Sequence, residues 1–368
     1  MRNTTTGAAR EDRLVGELAS RIVQNLRGRT LGILAVYFLC AFATARVFAA
    51  EWDTVTVDGE TETVIHGALQ YLANQQEIEG SWTLGKANPN PEPVAMTGYA
   101  LLAFLSTGNL PDEGEFGRNV NSGMQYLLNQ IQPDGLFRGV ERGKYMYSHG
   151  IATLALSELY GEKQSPTLKK RIEQLVGVIV GGQSPLGGWR YQPDAKDADI
   201  SVTVLQLAAL RAAKTAGIEV PQETIDRATN YVHKCYNDGE NGFAYQPGGK
   251  AGFARTAAAI YSLQVCGGYD DPLVAKGSDY LFANVNRGDV YWPYGCYYAA
   301  PAQYMIGGDV WQRWYKQMRD TLMSSVVRGG DTCCWYRKSS QPVSTNYDTA
   351  VFVTILAMPY HYIPLYQR

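Results

Sequence analysis

The chain has 368 residues, 45% of them hydrophobic, 11% aromatic and 18% charged, with 38 glycines and a net charge of −2. That is ample apolar material for a large core, and so even a charge balance excludes nucleic acid as partner, because phosphate binding needs a basic face. Six cysteines in such a length are too sparse for a disulfide framework.

Residues 1–50 differ from the rest. Leu31 to Phe42 is an uncharged apolar run preceded by Arg21, Arg27 and Arg29. It is followed by the small-x-small triplets Ala43-Thr44-Ala45 and Val47-Phe48-Ala49. A basic flank, a short apolar core and a small-residue end describe a secretory signal. Arg46 breaks the run short of the roughly 20 apolar residues that span a bilayer, yet an uncleaved membrane anchor is the second reading. Either predicts an exported chain, periplasmic or in the cell envelope, with membrane association possible through this segment. The segment holds seven Arg and three acids, so residues 51–368 carry 26 basic and 32 acidic groups, a net of −6. Five cysteines lie in this body, with Cys333 and Cys334 adjacent. Burial as small hydrophobes is the simplest reading, and spacing leaves a Cys235–Cys266 pairing open.

The body repeats itself about every 50 residues. An amphipathic helix runs into a turn ending in Gly and an aromatic, and a second helix rich in Ala and Leu follows. The turns are Gly80-Ser81-Trp82, Gly135-Leu136-Phe137, Gly187-Gly188-Trp189 and Gly242-Phe243, then more loosely Tyr291-Trp292 and Cys334-Trp335. In the first amphipathic helix, Val64, Ile65, Ala68, Leu69, Leu72 and Ala73 form one stripe; in the second, Val120, Met124, Leu127, Leu128 and Ile131 repeat it. Four more fall near 167–180, 223–235, 272–282 and 310–327, with Ser165-Pro166 and Pro221 as helix starts. The partner helices, near 94–105, 148–159, 201–213, 255–265, 298–306 and 349–358, are apolar almost all round and therefore buried on every side. No segment reads as a strand. The prediction is all-α: six helical hairpins closing an α/α toroid over residues 51–368, with an outer and an inner ring.

In such a ring the inner helices run the same way, so their N-termini meet at one end with unpaired N–H groups and partial positive charge. Polar residues at these starts would line one mouth: Tyr147 and His149, Asp197 and Asp199, Arg255, Cys296 with Tyr297 and Tyr298, and Tyr347 with Asp348. A polar ligand head would fit there, with an apolar tail deeper in the barrel.

These Gly-aromatic turns and alternating helix types resemble the prenyltransferase and squalene-cyclase repeat superfamily over about residues 62–368. The closing segment, with Tyr297-Tyr298, Gly307-Gly308, Trp311, Trp314 and the final Pro364 to Arg368, is similar to its exported single-domain bacterial branch. The resemblance implies the toroid but carries no activity from that branch. Protein prenyltransferases hold zinc with an Asp-Gly-Cys-Tyr stretch and a His before the last inner helix. Here Tyr294-Gly295-Cys296-Tyr297 and Asp348 stand at those places, one thiol and one carboxylate where three ligands are needed. The residues therefore call for no metal and no cofactor. Class II terpene cyclases protonate their substrate from the middle acid of Asp-x-Asp-Asp. Asp197-Ala198-Asp199-Ile200 is similar, with Asp199 as the candidate general acid and Ile200 in place of the last Asp. Against this, Asp197, Asp199 and Asp348 each suit plain helix capping, and His149 stands where other inner helices carry Thr97, Thr203 and Thr256. The expected function is binding, in the central cavity, of an apolar and isoprenoid-like ligand or of a peptide. Tyr147, His149, Asp197, Arg255, Cys296, Tyr297 and Asp348 are the candidate contacts. Proton-initiated terpenoid cyclisation by Asp199 is the alternative.

Overall fold

A computed structural model describes residues 55–85, 90–140, 142–285, 289–336 and 344–366. The expected signal or anchor, residues 1–50, lies outside them. No helix among the described residues is long and apolar enough to cross a membrane.

The described residues form twelve α-helices in six hairpins. The outer set is α1 (Gly59–Asn74), α3 (Gly117–Gln130), α5 (Pro166–Gly181), α7 (Gln222–Lys234), α9 (Pro272–Ala283) and α11 (Gly308–Met323). The inner set is α2 (Pro93–Leu105), α4 (Tyr145–Glu162), α6 (Ile200–Thr215), α8 (Phe253–Val265), α10 (Trp292–Ile306) and α12 (Thr345–Leu356). Each inner helix packs on the next, and α12 returns to pack on α2, so the inner ring closes. Outer helices bury one stripe, as Val120 and Leu127 do on α3. Inner helices bury nearly every residue, as Val202 to Leu210 do on α6. Side-chain caps start several helices: Asp58 accepts from Thr61 N at 2.9 Å, and Ser344 from Asn346 N at 3.1 Å.

The turns hold each hairpin shut with one recurring device. The turn aromatic donates its backbone N–H to a threonine hydroxyl one turn into the inner helix: Trp82 to Thr97 (3.1 Å), Trp189 to Thr203 (3.0 Å), Phe243 to Thr256 (2.9 Å) and Trp335 to Thr349 (3.3 Å). The indole N–H of each Trp donates back to the end of its outer helix, at Leu72, Ile179 or Leu322 O. Neighbouring hairpins are joined by the glycine before the aromatic. Gly80 has φ +95°, and a Cβ there would come 2.5 Å from Ser122 O on the next outer helix. Gly187 meets Arg227 O on α7 in the same way. Gln76 bridges this joint by donating to both Gly80 O and Asn119 O; Gln183 repeats it with Gly187 O and Thr224 O.

Two details depart from the sequence-based expectation. The fifth inner helix begins at Trp292, six residues earlier than expected, with Pro293 in its first turn where proline suits helix entry. Tyr291-Trp292 is thus a helix start rather than a turn pair. Two short antiparallel ladders appear where no strand was expected: β1 (Tyr236–Asn237) with β2 (Gly242–Phe243), and β3 (Val327–Gly329) with β4 (Thr332–Cys334). Both are lengthened outer-to-inner turns, and their two or three residues are too short to show a strand period. None of the five described cysteines, Cys235 and Cys266 included, is joined in a disulfide.

Candidate functional site at the inner-helix rim

Asp199 anchors the rim. It is the N-cap of α6 and is wholly buried. One carboxylate oxygen accepts from Val202 N (2.9 Å) and Ser201 Oγ (2.6 Å); the other accepts from Arg190 Nη1 at 2.8 Å. Arg190 also pairs through Nε with the half-exposed Asp197 at 3.1 Å, and its Nη1 donates to Tyr245 Oη at 2.8 Å. Its guanidinium lies 4.4 Å from the centre of the Tyr191 ring, a cation–π distance. Tyr191 and Tyr245 share a hydrogen bond between their hydroxyls at 2.6 Å. Tyr147 of α4 stacks on Tyr191 and bonds Ser201 Oγ at 2.5 Å. Burial, and then the Asp199 charge, hold the Tyr147 phenol far above its ordinary range. Tyr147, Asp197 and Asp199 are thus brought together, around an arginine that sequence reasoning passed over. Arg190 and Tyr191 directly follow the turn Trp189, and Tyr245 stands two residues after Phe243, the same offset as Tyr191 from Trp189. That register was the signal available.

A second cluster fills the centre. Tyr99 of α2 meets Tyr297 of α10 at 5.5 Å and Tyr347 of α12 at 4.9 Å, both edge-on. Tyr294 meets Tyr298 at 4.9 Å, and Tyr298 meets Tyr297 at 5.1 Å. The Tyr294 hydroxyl crosses from α10 to donate to Ser201 O on α6 at 2.8 Å. Phenol rings from α2, α10 and α12 therefore pack on one another, and one of them reaches across to α6. Asp348 is buried in the first turn of α12, and its charge helps raise the Tyr347 phenol after burial and Tyr99.

His149, Arg255 and Cys296 are not in this mouth, and each position has a physical reason. They lie in the first turns of their helices, where neighbouring positions face either the axis or the outer ring, and these three take other partners. His149 occupies the place of the threonines. Its ring packs on Phe137 and Tyr145, and its Nε2 lies 3.1 Å from Leu175 O of α5. In its hairpin the Tyr145 hydroxyl accepts the Phe137 N–H instead, at 2.7 Å. Burial pushes the His149 imidazole down to about 4, so it is neutral in the fold. Arg255 donates to Lys250 O at 2.9 Å, and its charge acts on the Tyr280 phenol of α9. Cys296 is fully buried as the fifth residue of α10, the position of Thr97 in α2 and Thr349 in α12. Among the described residues, no three His, Cys, Asp or Glu side chains are grouped to hold a metal ion.

No family model and no curated protein matches the chain. Solved structures do. An inactive variant of an alpha-1,6-mannanase of Salegentibacter sp. HEL1_6, in complex with alpha-1,6-mannotriose, is 11% identical, covers 80% of this chain and 98% of its own, and gives a TM-score of 0.60. A type II terpene cyclase from Scytonema is 14% identical over 83% of this chain and 100% of its own, with a TM-score of 0.57. Cellobiose 2-epimerase from Bacillus thermoamylovorans B4167 is 12% identical over 80% and 98%, with a TM-score of 0.60. These neighbours are enzymes of unlike chemistry on one scaffold, so the likeness carries architecture and no activity. With the closed inner ring and the repeated turns, it establishes that this chain has the α/α toroid fold that these three enzymes share.

Proposed function

We propose that this toroid is a recognition module that takes a polypeptide segment across the rim where the inner helices begin, and that it performs no cyclisation. The edge-on packing of Tyr99, Tyr294, Tyr297, Tyr298 and Tyr347 against one another supports this reading most, because rings already paired with each other are not free to line an isoprenoid chain. The same rim displays large apolar side chains. Ile78, Leu186, Tyr291 and Tyr336 are all exposed, and each lies in a connection leading into an inner helix. Tyrosine and arginine are the residues that most often anchor protein interfaces, and Tyr191, Tyr245 and Arg190 lie within the ring of these connections. Export, resting on Leu31 to Phe42 and its basic flank, belongs to the same proposal.

Selection of a displayed peptide library on the purified chain tests this. Peptides that bind should lose on the order of 30-fold in affinity to Tyr291→Ala or Leu186→Asp, the effect of removing one anchor of about 2 kcal/mol. Native mass spectrometry of the purified chain supplies the opposing result. A co-purifying isoprenoid, or peptide affinities that ignore both substitutions, would overturn the rim as the binding face.

A further inference from the structure

The inner helices end at the face opposite the rim, and the last described residues lie across it. After α12 the chain makes a 3-10 turn, Met358–Tyr360, and reverses at His361 with φ +61°. It then runs on with Ile363 and Leu365 buried, into a second 3-10 turn, Pro364–Tyr366, that packs on α6 and α10. The Tyr304 hydroxyl and His361 Nδ1 hold its start at 2.7 Å. Between this strap and the ends of α2 and α4 lies a cavity of about 130 Å³, lined by Leu105, Leu110, Glu158, Glu162, Tyr362 and Ile363 among others.

Glu158 is the buried ionisable group here. It is 5% exposed, and its carboxyl takes the backbone N–H of Leu365 in the strap. Glu162 faces it from one turn along α4. From α8 comes Tyr261, whose fully buried hydroxyl has no hydrogen-bond partner and which senses both Glu158 and Arg211 of α6. α2 contributes only apolar lining, and the strap contributes Tyr362. Burial first, and Glu162 second, push Glu158 up to about 8, outweighing the Leu365 N–H, whose hydrogen bond favours the ionised carboxyl.

We propose that the 358–366 strap is a pH-released plug: it stays seated on Glu158 while that carboxyl keeps its proton, and ionisation of Glu158 lifts it to admit water to the base of the barrel. A carboxylate in this cavity is desolvated and meets a like charge, with no cation among the residues lining it. Lifting one short segment hydrates it, whereas disturbing α4 would open the inner ring. The sign follows from proton linkage. The seated state binds the Glu158 proton more tightly than the open state, in which the carboxyl behaves ordinarily. The seated state's advantage is therefore complete below about 4.5, declines as pH rises toward about 8, and levels off above that. Between pH 6 and pH 9 the open fraction should grow on the order of 100-fold.

Hydrogen exchange of the full chain, corrected for intrinsic rates and read at the amides of residues 361–363, 365 and 366, tests this. Protection should fall on the order of 100-fold from pH 6 to pH 9 in the natural chain, stay level in Glu158→Gln, and fall by less in Glu162→Gln. Glu162 is exposed, so its substitution keeps the test open should the Glu158 variant fold poorly. Protection that is flat with pH in the natural chain, or that falls equally in Glu162→Gln, would overturn the plug.

Discussion

Trp189→Ala should lower the stability of the fold by about 3–5 kcal/mol, the usual cost of emptying a buried tryptophan site, and lower the melting temperature on the order of 10 °C. The side chain is wholly buried where α5 ends and α6 begins. Its loss removes three things together: the ring volume, the indole hydrogen bond to Ile179 O at 2.7 Å, and the packing that keeps its own backbone N–H on Thr203 Oγ1 at 3.0 Å. Gly188, beside it, has no room for a Cβ against Thr203, Tyr231 and Ala198, so the turn cannot slide to refill the space. Two gentler changes divide the cost. Trp189→Phe keeps most of the volume and leaves Ile179 O without its donor, and Thr203→Val leaves a buried N–H unpaired; each should cost about 1–3 kcal/mol. Thermal and denaturant melts of the three variants check the order. A Trp189→Ala chain that melts normally but no longer binds its partner would move this residue from the scaffold to the site.

The scaffold was legible because its turns recur: Gly80, Gly135 and Gly187 are left-handed two residues before an aromatic, and four hairpins use the threonine. The Gly-aromatic turn marks a left-handed glycine pressed against the next outer helix, and the threonine one turn into the inner helix marks the hydroxyl that accepts the turn's N–H. Both are local chemistry at fixed offsets, so one sequence shows them. His149 was visible as the exception to the threonine series, and it proves to be a buried neutral ring facing α5. The fifth hairpin was misplaced because its connection lacks the Gly-aromatic pair, leaving Pro293 as the only marker of the true helix start. The rim was harder to read. A residue at a helix start can turn toward the axis or toward the outer ring, and a difference of one position decides it. Tyr294, Tyr297 and Tyr298 all reach the central cluster, whereas Cys296 between them sits where Thr97 and Thr349 stand in their own helices. Arg190 escaped notice because its two acidic partners follow seven and nine residues later, on the far side of a loop.

Asp199 decides between capping and acid catalysis, and its replacement by Ala should cost about 3 kcal/mol, combining a lost N-cap with a broken buried ion pair. All three of its partners are donors: Val202 N, Ser201 Oγ and Arg190 Nη1. These donors take three of the carboxylate's about four lone-pair sites, and Arg190 ties it further to the half-exposed Asp197 and to Tyr245. A donor poised to protonate an alkene needs its proton aimed at an open cavity, whereas these oxygens face a helix N-terminus and a guanidinium. Asp199→Asn separates the two roles. Asparagine caps helices about as well as aspartate, so it keeps the bond to Val202 N and gives up only the charge opposite Arg190. A capping role predicts that Asn restores most of the stability lost in Ala, with binding at the rim weakened only as far as Arg190 shifts against Tyr191 and Tyr245. An acid role predicts the reverse: an Asn variant as stable as the natural chain, with turnover of an added polyprenyl substrate abolished. Melting curves of the Ala and Asn variants, beside product analysis after incubation with a linear polyprenoid, distinguish these outcomes. Turnover by the natural chain that disappears in Asp199→Asn would restore the cyclase reading and displace the recognition module.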